Sequence, residues 1–232
     1  MTPPQYRDEA VVGISDYYTN VLTQQELRRG FSIYSVLKRA IDIVGSLIGL
    51  VLLSPLLAFL ALLIKLEDPK GPVFFYQTRI GKNEKQFQMF KLRSMTTNAE
   101  EKLKELLGQN EISGAMFKMK NDPRITKVGR FIRKTSLDEL PQLLNVLRGE
   151  MSLVGPRPPL TREVAEYTEY DKLRLTVTPG CTGLWQVSGR NRLSFKQMVE
   201  LDIAYIEKRC IWLDIKIMLR TVKAVVASHD AF

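Results

Sequence analysis

Two adjacent carboxylates, Asp138 and Glu139, stand in the run Ser136-Leu137-Asp138-Glu139-Leu140-Pro141-Gln142. Ser136 and Glu139 match the S-x-x-E capping box, which gives Glu139 a purely structural reading. Pro141 falls just past the first turn of such a helix and argues for a later start. On either reading the pair lies at a helix N-terminus, where free N–H groups and partial positive charge favour anions. A helix end suited to phosphate that presents carboxylates instead invites a cation between the two. Mg2+ fits, because it binds through one or two carboxylates together with substrate phosphates.

Cations surround the pair in sequence. Arg133 precedes Asp138 by five residues, and Lys127, Arg130 and Lys134 form one basic helical face. Seven basic residues lie between Lys118 and Lys134 against Asp122 alone. Most suit a solvated or lipid-facing surface, with Arg133 the exception. Lys91 and Arg93 alternate in a predicted strand, so both point to one face while Phe90 and Leu92 point to the other. Arg157 sits in Gly155-Pro156-Arg157-Pro158-Pro159, where the prolines fix the backbone and present a planar fork suited to phosphate. The glycine-rich run Pro179 to Asn191 offers Gln186, Gly189, Arg190 and Asn191 to a nucleotide or sugar. The alternative is a loop that packs on the core through Trp185.

The single histidine, His229, lies in the last four residues, which disfavours a His-centred triad or metal site. Acid–base or nucleophilic work falls to carboxylates, thiols or hydroxyls. The net charge of +9 suits anionic lipids or phosphorylated substrates better than nucleic acid, for which no binding motif appears. Cys181 and Cys210 have no pairing or metal spacing and suit a reducing cytosol.

What must position these groups begins with an apolar run from Ile43 to Ile64, flanked by Lys38-Arg39 and Lys65. Its 22 residues make roughly 33 Å of helix, enough to cross the hydrocarbon core. No polar stripe interrupts it, which disfavours a buried core helix. Pro55 removes a donor, predicts a kink, and leaves groups that the Ser54 hydroxyl can satisfy. The helix either crosses once with a bend or turns at Ser54-Pro55 and leaves on the same face. The second path is favoured, since both basic ends then meet the anionic leaflet.

The rest reads as α+β. A mostly helical cytosolic domain with a small β-hairpin follows a re-entrant membrane helix-break-helix and surface amphipathic helices. Residues 1–32 form an arm, 33–65 the membrane hairpin and 66–232 the catalytic domain. Strands are predicted at Val73 to Tyr76 and Phe87 to Leu92, around a turn at Gly81-Lys82-Asn83. Helices are predicted at Asn98 to Leu107, Leu137 to Leu147, Thr161 to Val177 and through most of Leu193 to Ala227. Pro156 to Pro159 and Pro179-Gly180 read as turns. The apolar face of the last helix (Ile211, Trp212, Ile215, Met218, Leu219, Val222, Val226) suits either core or a homodimer contact.

From Lys38-Arg39-Ala40-Ile41-Asp42 almost to the C-terminus, the chain resembles the monotopic phosphoglycosyl transferases, bacterial sugar transferases that begin glycan assembly on undecaprenyl phosphate. The Ser54-Pro55 break, Lys91-Leu92-Arg93-Ser94-Met95, the Asp138-Glu139 run, Ser152 to Pro158 and Thr182 to Arg190 carry the resemblance. Residues 1–32 are not covered, and the chain looks like a near-minimal member without an added multi-span N-terminal region. The resemblance implies that Asp138 attacks the β-phosphate of a UDP-sugar, releases UMP, and passes the phosphosugar to undecaprenyl phosphate. It implies Mg2+ on Asp138, a supporting role for Glu139 toward nucleophile or lipid phosphate, and phosphate contacts at Arg133 and Arg157. It also implies a re-entrant anchor in the bacterial inner membrane, with the catalytic domain on the cytosolic face. The Trp185 motif inclines the donor toward UDP-galactose or UDP-glucose. A membrane adaptor without activity and a glycosyltransferase that releases UDP are the rivals.

Overall fold

In the computed structural model, residues 32–106, 119, 122–189 and 193–227 are described. Helix α1 (Ile33–Glu67) opens on Ser32, whose side chain accepts from the Ser35 amide. It is long and apolar enough to cross a membrane, and its most apolar stretch is only 11% buried, which excludes a buried core helix. The helix is assigned without a gap through Ser54-Pro55. Pro55 has no N–H to offer Val51, and the Ser54 hydroxyl donates to that carbonyl at 2.8 Å instead.

Both ends of α1 are tied to the same folded body. Near its start, Lys38 Nζ donates to the Val154 carbonyl and to Asp214, each at 2.9 Å. Arg39 donates to the carbonyls of Val146 and Leu147 at 2.6 and 2.8 Å. Asp42 accepts from the Ser152 hydroxyl and the Leu153 amide. At the far end Leu60 and Ile64 are buried with Leu92 and Ile132. The Glu67 carboxylate accepts from the amides of Lys127 and Val128 at 2.7 and 3.0 Å.

The expected hairpin is present and longer. β1 (Phe74–Ile80) pairs antiparallel with β2 (Gln86–Leu92). The connection holds Asn83 and Glu84 at positive φ. Helix α2 (Ala99–Leu106) matches its predicted span within a residue, except that Leu107 lies outside the described residues. α3 (Lys127–Lys134) is capped by Thr126, whose hydroxyl accepts from Gly129. Lys118 and Lys120 lie outside the described residues.

The helix expected from Leu137 is not continuous. Leu137–Glu139 forms a single 3-10 turn, and α4 (Gln142–Arg148) starts only after Pro141. The capping box fails because Ser136 adopts φ 56° and makes no capping bond. Both carboxylates therefore sit in the turn before α4 rather than in its first turn. The β3 (Ser152–Val154) and β4 (Gly180–Thr182) strands pair in parallel, a sheet that reading 156–159 and 179–180 as turns did not reveal. A side chain at Gly180 would meet the Gly155 amide at 2.1 Å, so only glycine allows the approach.

The predicted helix from Thr161 to Val177 is two short ones, α5 (Thr161–Val164) and α6 (Glu169–Lys172), divided by the Thr168 cap. α7 (Phe195–Lys208) and α8 (Ile211–Ala227) close the chain around a core of Val154, Leu173, Val199, Ile203, Tyr205 and Ile217. The apolar face read for α8 divides. Met218 packs on the core, Ile217 is buried, and Trp212, Leu219 and Val222 are exposed.

Asn145, fully buried on α4, holds hairpin and helix together. Its amide accepts from the Phe90 N–H at 3.0 Å and donates to the Gln88 carbonyl at 2.7 Å. Asn145→Ala strands both groups and is expected to cost about 3 kcal/mol, lowering Tm by about 10 °C. Thermal unfolding of the detergent-held protein checks this, and an unchanged Tm would refute it.

Candidate active site

Asp138 and Glu139 are set by the tight link between α3 and α4. α3 ends at Lys134, Ser136 turns the chain in the left-handed region, and the 3-10 turn presents the pair. The 3-10 turn packs against β2. From that strand Lys91 Nζ donates to Glu139 Oε1 at 2.7 Å. Asp138 is 8% exposed, whereas the Glu139 side chain keeps 43% of its surface.

Position decides charge. Burial pushes the Asp138 carboxyl up to about 6, with Lys91 and Arg133 opposing and Glu139 adding to the rise. Burial acts upward on Glu139 too. The charge and hydrogen bond of Lys91 outweigh it, helped by Arg157 and Arg79, and hold Glu139 below the ordinary carboxylate range. Two neighbouring carboxyls are thereby set apart, one firmly ionised and one poised near neutrality.

Lys91 acts on both carboxylates, Arg133 on Asp138 and Arg157 on Glu139. Arg93 is employed elsewhere. The Arg93 amide continues the pairing past β2 by donating to the Val73 carbonyl at 2.8 Å, and the residue's guanidinium lies at the end of α1. There it donates to the Asp68 carbonyl at 2.7 Å and lies 3.2 Å from the Asp68 carboxylate. This ion pair ties the end of β2 to the end of α1. Gln186 lies in a 3-10 turn (Trp185–Val187) against α7 and α8, and Gly189 packs near Leu193. Arg190 and Asn191 lie outside the described residues.

Arg79, which the sequence reading missed, adds to the group. It is 4% exposed on β1, and burial together with the nearby Arg157 charge lowers its guanidinium to about 10. The signal available was an arginine within an otherwise strand-forming run, hidden because the strand was ended at Tyr76.

A cavity of about 210 Å3 lies apart from these groups, at the base of α1, lined by Lys38, Arg39, Asp42 and Tyr205 among others. Lys38 and Arg39 there are already bonded to carbonyls, and Lys38 also to Asp214. Carboxylates and cations converge instead around Asp138 and Glu139. This donor set fits magnesium. Among the described residues no cluster of three ligating side chains occurs, and magnesium needs only one or two carboxylates when phosphates and waters complete its shell. A buried carboxylate near neutral pKa is also the group a divalent cation would stabilise most.

Because the folded Asp138 binds its proton more tightly than an unfolded aspartate, its contribution to stability is present at acid pH and lost as pH rises through about 6. Asp138→Asn removes that loss. The variant is expected to be more stable than the parent by up to about 3 kcal/mol at pH 8, with the gap closing toward pH 4. Tm measured against pH for both proteins tests this; a gap that widens at acid pH would overturn it.

The bacterial sugar transferase family matches the chain over residues 33–228. Galactosyl transferase CpsE of Streptococcus agalactiae is 50% identical over 197 residues, 84% of this chain and 43% of its own length. The undecaprenyl-phosphate galactose phosphotransferase of Salmonella typhimurium is 48% identical over 200 residues, 84% of this chain and 42% of its own. The chain thus spans less than half of these two relatives. Exopolysaccharide production protein ExoY of Rhizobium meliloti is 41% identical over 199 residues, covering 84% of this chain and 88% of that protein. With a match along nearly the whole described fold, and with the Asp138 group inside it, the chain belongs to the bacterial sugar transferase family.

Proposed function

We propose that this protein transfers a sugar 1-phosphate from a UDP-sugar to undecaprenyl phosphate through a phosphosugar held on Asp138, with release of UMP, as the first membrane step of exopolysaccharide or capsule assembly. The observation that carries the reading is a buried carboxylate, ionisable near neutrality, beside a firmly charged Glu139 and within reach of the charges of Lys91 and Arg133. An Asp138 oxygen attacks the β-phosphorus. The bond from that phosphorus to the bridging oxygen breaks, and UMP leaves with the electron pair. A phosphate oxygen of the lipid then attacks the same phosphorus and frees the carboxylate, giving the diphosphate-linked product. Carboxylates serve as such nucleophiles, and phosphoryl transfer depends mainly on positioning and charge neutralisation. Lys91, Arg157 and Arg133 supply that positive charge. Magnesium held by Asp138 would neutralise phosphate oxygens when bound.

The names of the relatives support the acceptor and suggest galactose or glucose donors. Another relative, from Aeromonas hydrophila, is named for N-acetylgalactosamine, so the family name alone does not choose the sugar. An adaptor leaves the raised Asp138 pKa and its cations without a use. A glycosyltransferase that moves only the sugar would break the anomeric bond and release UDP.

Membrane placement belongs to the same proposal. Lys38, Arg39 and Asp42 at one end of α1 and Glu67 at the other bond to one folded body. A helix crossing the bilayer once would set one of these polar attachments on the far side. The tethers therefore favour a re-entrant path, with the catalytic domain on the cytosolic face of the inner membrane.

Nucleotide release decides the reaction. The nanodisc-held protein with Mg2+, undecaprenyl phosphate and UDP-galactose or UDP-glucose is expected to release UMP. Asp138→Asn should slow this by more than about a thousandfold. UDP as product would sink the covalent mechanism. In the parent, kcat/KM for the donor should fall about tenfold per pH unit below pH 6, since only ionised Asp138 attacks. For topology, Ile33→Cys and Leu66→Cys, each with the native thiols replaced by alanine, should both resist an impermeant maleimide in spheroplasts and react after lysis. Labelling of either from outside would point to a single crossing.

A further inference from the structure

The hairpin register sets Arg79 opposite Phe87 and Lys91 opposite Phe75. Opposed residues share a face of an antiparallel pair, and every second residue returns to it. Arg79 and Lys91 therefore stand on one face, with Phe87 and Met89 between them packed on Val146 and Met151. Lys91 reaches Glu139 from one end of this face. At the other end Arg79 reaches the segment that carries Arg157. Its Nη1 donates to the Pro158 carbonyl at 3.0 Å, while Nε and Nη2 clasp the Gln77 Oε1 at 3.2 and 2.7 Å. The Ile80 amide, donating to the Pro159 carbonyl at 3.0 Å, fastens the same segment.

The charge on Arg79 has no such fastening. It is 4% exposed, and among the described residues it has no carboxylate in ion-pair contact. The largest charge effect on it is that of Arg157, of the same sign, with Glu163 and Glu139 acting in the opposite direction. A buried cation kept beside another cation is costly until an anion joins them. Three of the five guanidinium N–H groups are engaged, so two remain.

We infer that Arg79 is a positioning residue of the diphosphate seat, holding the Pro156–Pro159 segment on the hairpin so that the Arg157 fork meets the donor's phosphates at a fixed distance from the Lys91–Glu139 pair. The inference rests on the UDP-sugar reading above. Arg79 acts through Arg157, and its effect falls on the phosphates of the donor, not on the uridine.

Calorimetric titration of the full chain in nanodiscs with UDP and with uridine separates these. The proteins compared are the parent, Arg79→Gln, Arg79→Lys, Arg157→Gln and the Arg79→Gln/Arg157→Gln pair. Arg79→Gln should weaken UDP about tenfold and leave uridine unchanged. Arg79→Lys should recover only part of the loss, because a point charge cannot span Gln77 and Pro158 together. The double variant should bind UDP within about threefold of Arg157→Gln, since the two act through one seat. Equal losses for UDP and uridine, additive losses, or unaltered UDP affinity in either folded Arg79 variant would overturn the inference alone. A parent protein that binds UDP no better than uridine would overturn the donor reading and this inference with it. Where Arg79→Gln does not fold, Arg79→Lys carries the comparison by itself.

Discussion

The Lys91–Glu139 ion pair is the contact on which the arrangement around Asp138 turns. It joins the hairpin to the 3-10 turn and decides which carboxyl of the pair keeps its charge. With Glu139 neutralised locally, Asp138 can be withdrawn from water without meeting a second bare anion. Two adjacent carboxylates with no cation between them and solvent would drive each other's protons on. The lysine thus does for the resting site part of what a metal and substrate phosphates are proposed to do during turnover.

Much of this was legible locally. Asp138, Glu139, Arg133 and Arg157 are close in sequence to the turns that set them, and turn chemistry is read from neighbouring residues. The apolar run, its Ser54-Pro55 interruption and the hydroxyl that serves the interruption were equally visible, because one helical turn contains them all. The hairpin was found but cut short, and with it went Arg79, whose place on the inner face depends on three more residues of strand. Arg93 carries a tie that alternation could not show, since its guanidinium meets Asp68 at the distant end of α1.

What local pattern cannot express is a contact between distant segments. β3 and β4 are three residues each and lie 28 positions apart, so neither carries a periodic signal. The attachments of Lys38, Arg39 and Asp42 are of the same kind. In sequence Lys38 and Arg39 read as basic flanks for a lipid surface, whereas in the fold Lys38 and Asp42 join a polar network with Tyr205, Asp214 and Ser152. The flank charges therefore serve tertiary structure first, and composition alone could not tell the two uses apart.

The Glu67 cap on α3 has a mechanical meaning. The apolar helix ends in a carboxylate that grips the first turn of α3, and α3 in turn leads within four residues of its end to Asp138. Anchor and proposed nucleophile are thus joined through α3 and one short turn. If α1 rides in lipid as proposed, its depth fixes the height of Asp138 above the acyl chains. Bilayer thickness and headgroup packing then become variables of the reaction coordinate, setting how far a lipid-borne phosphate must rise to be reached.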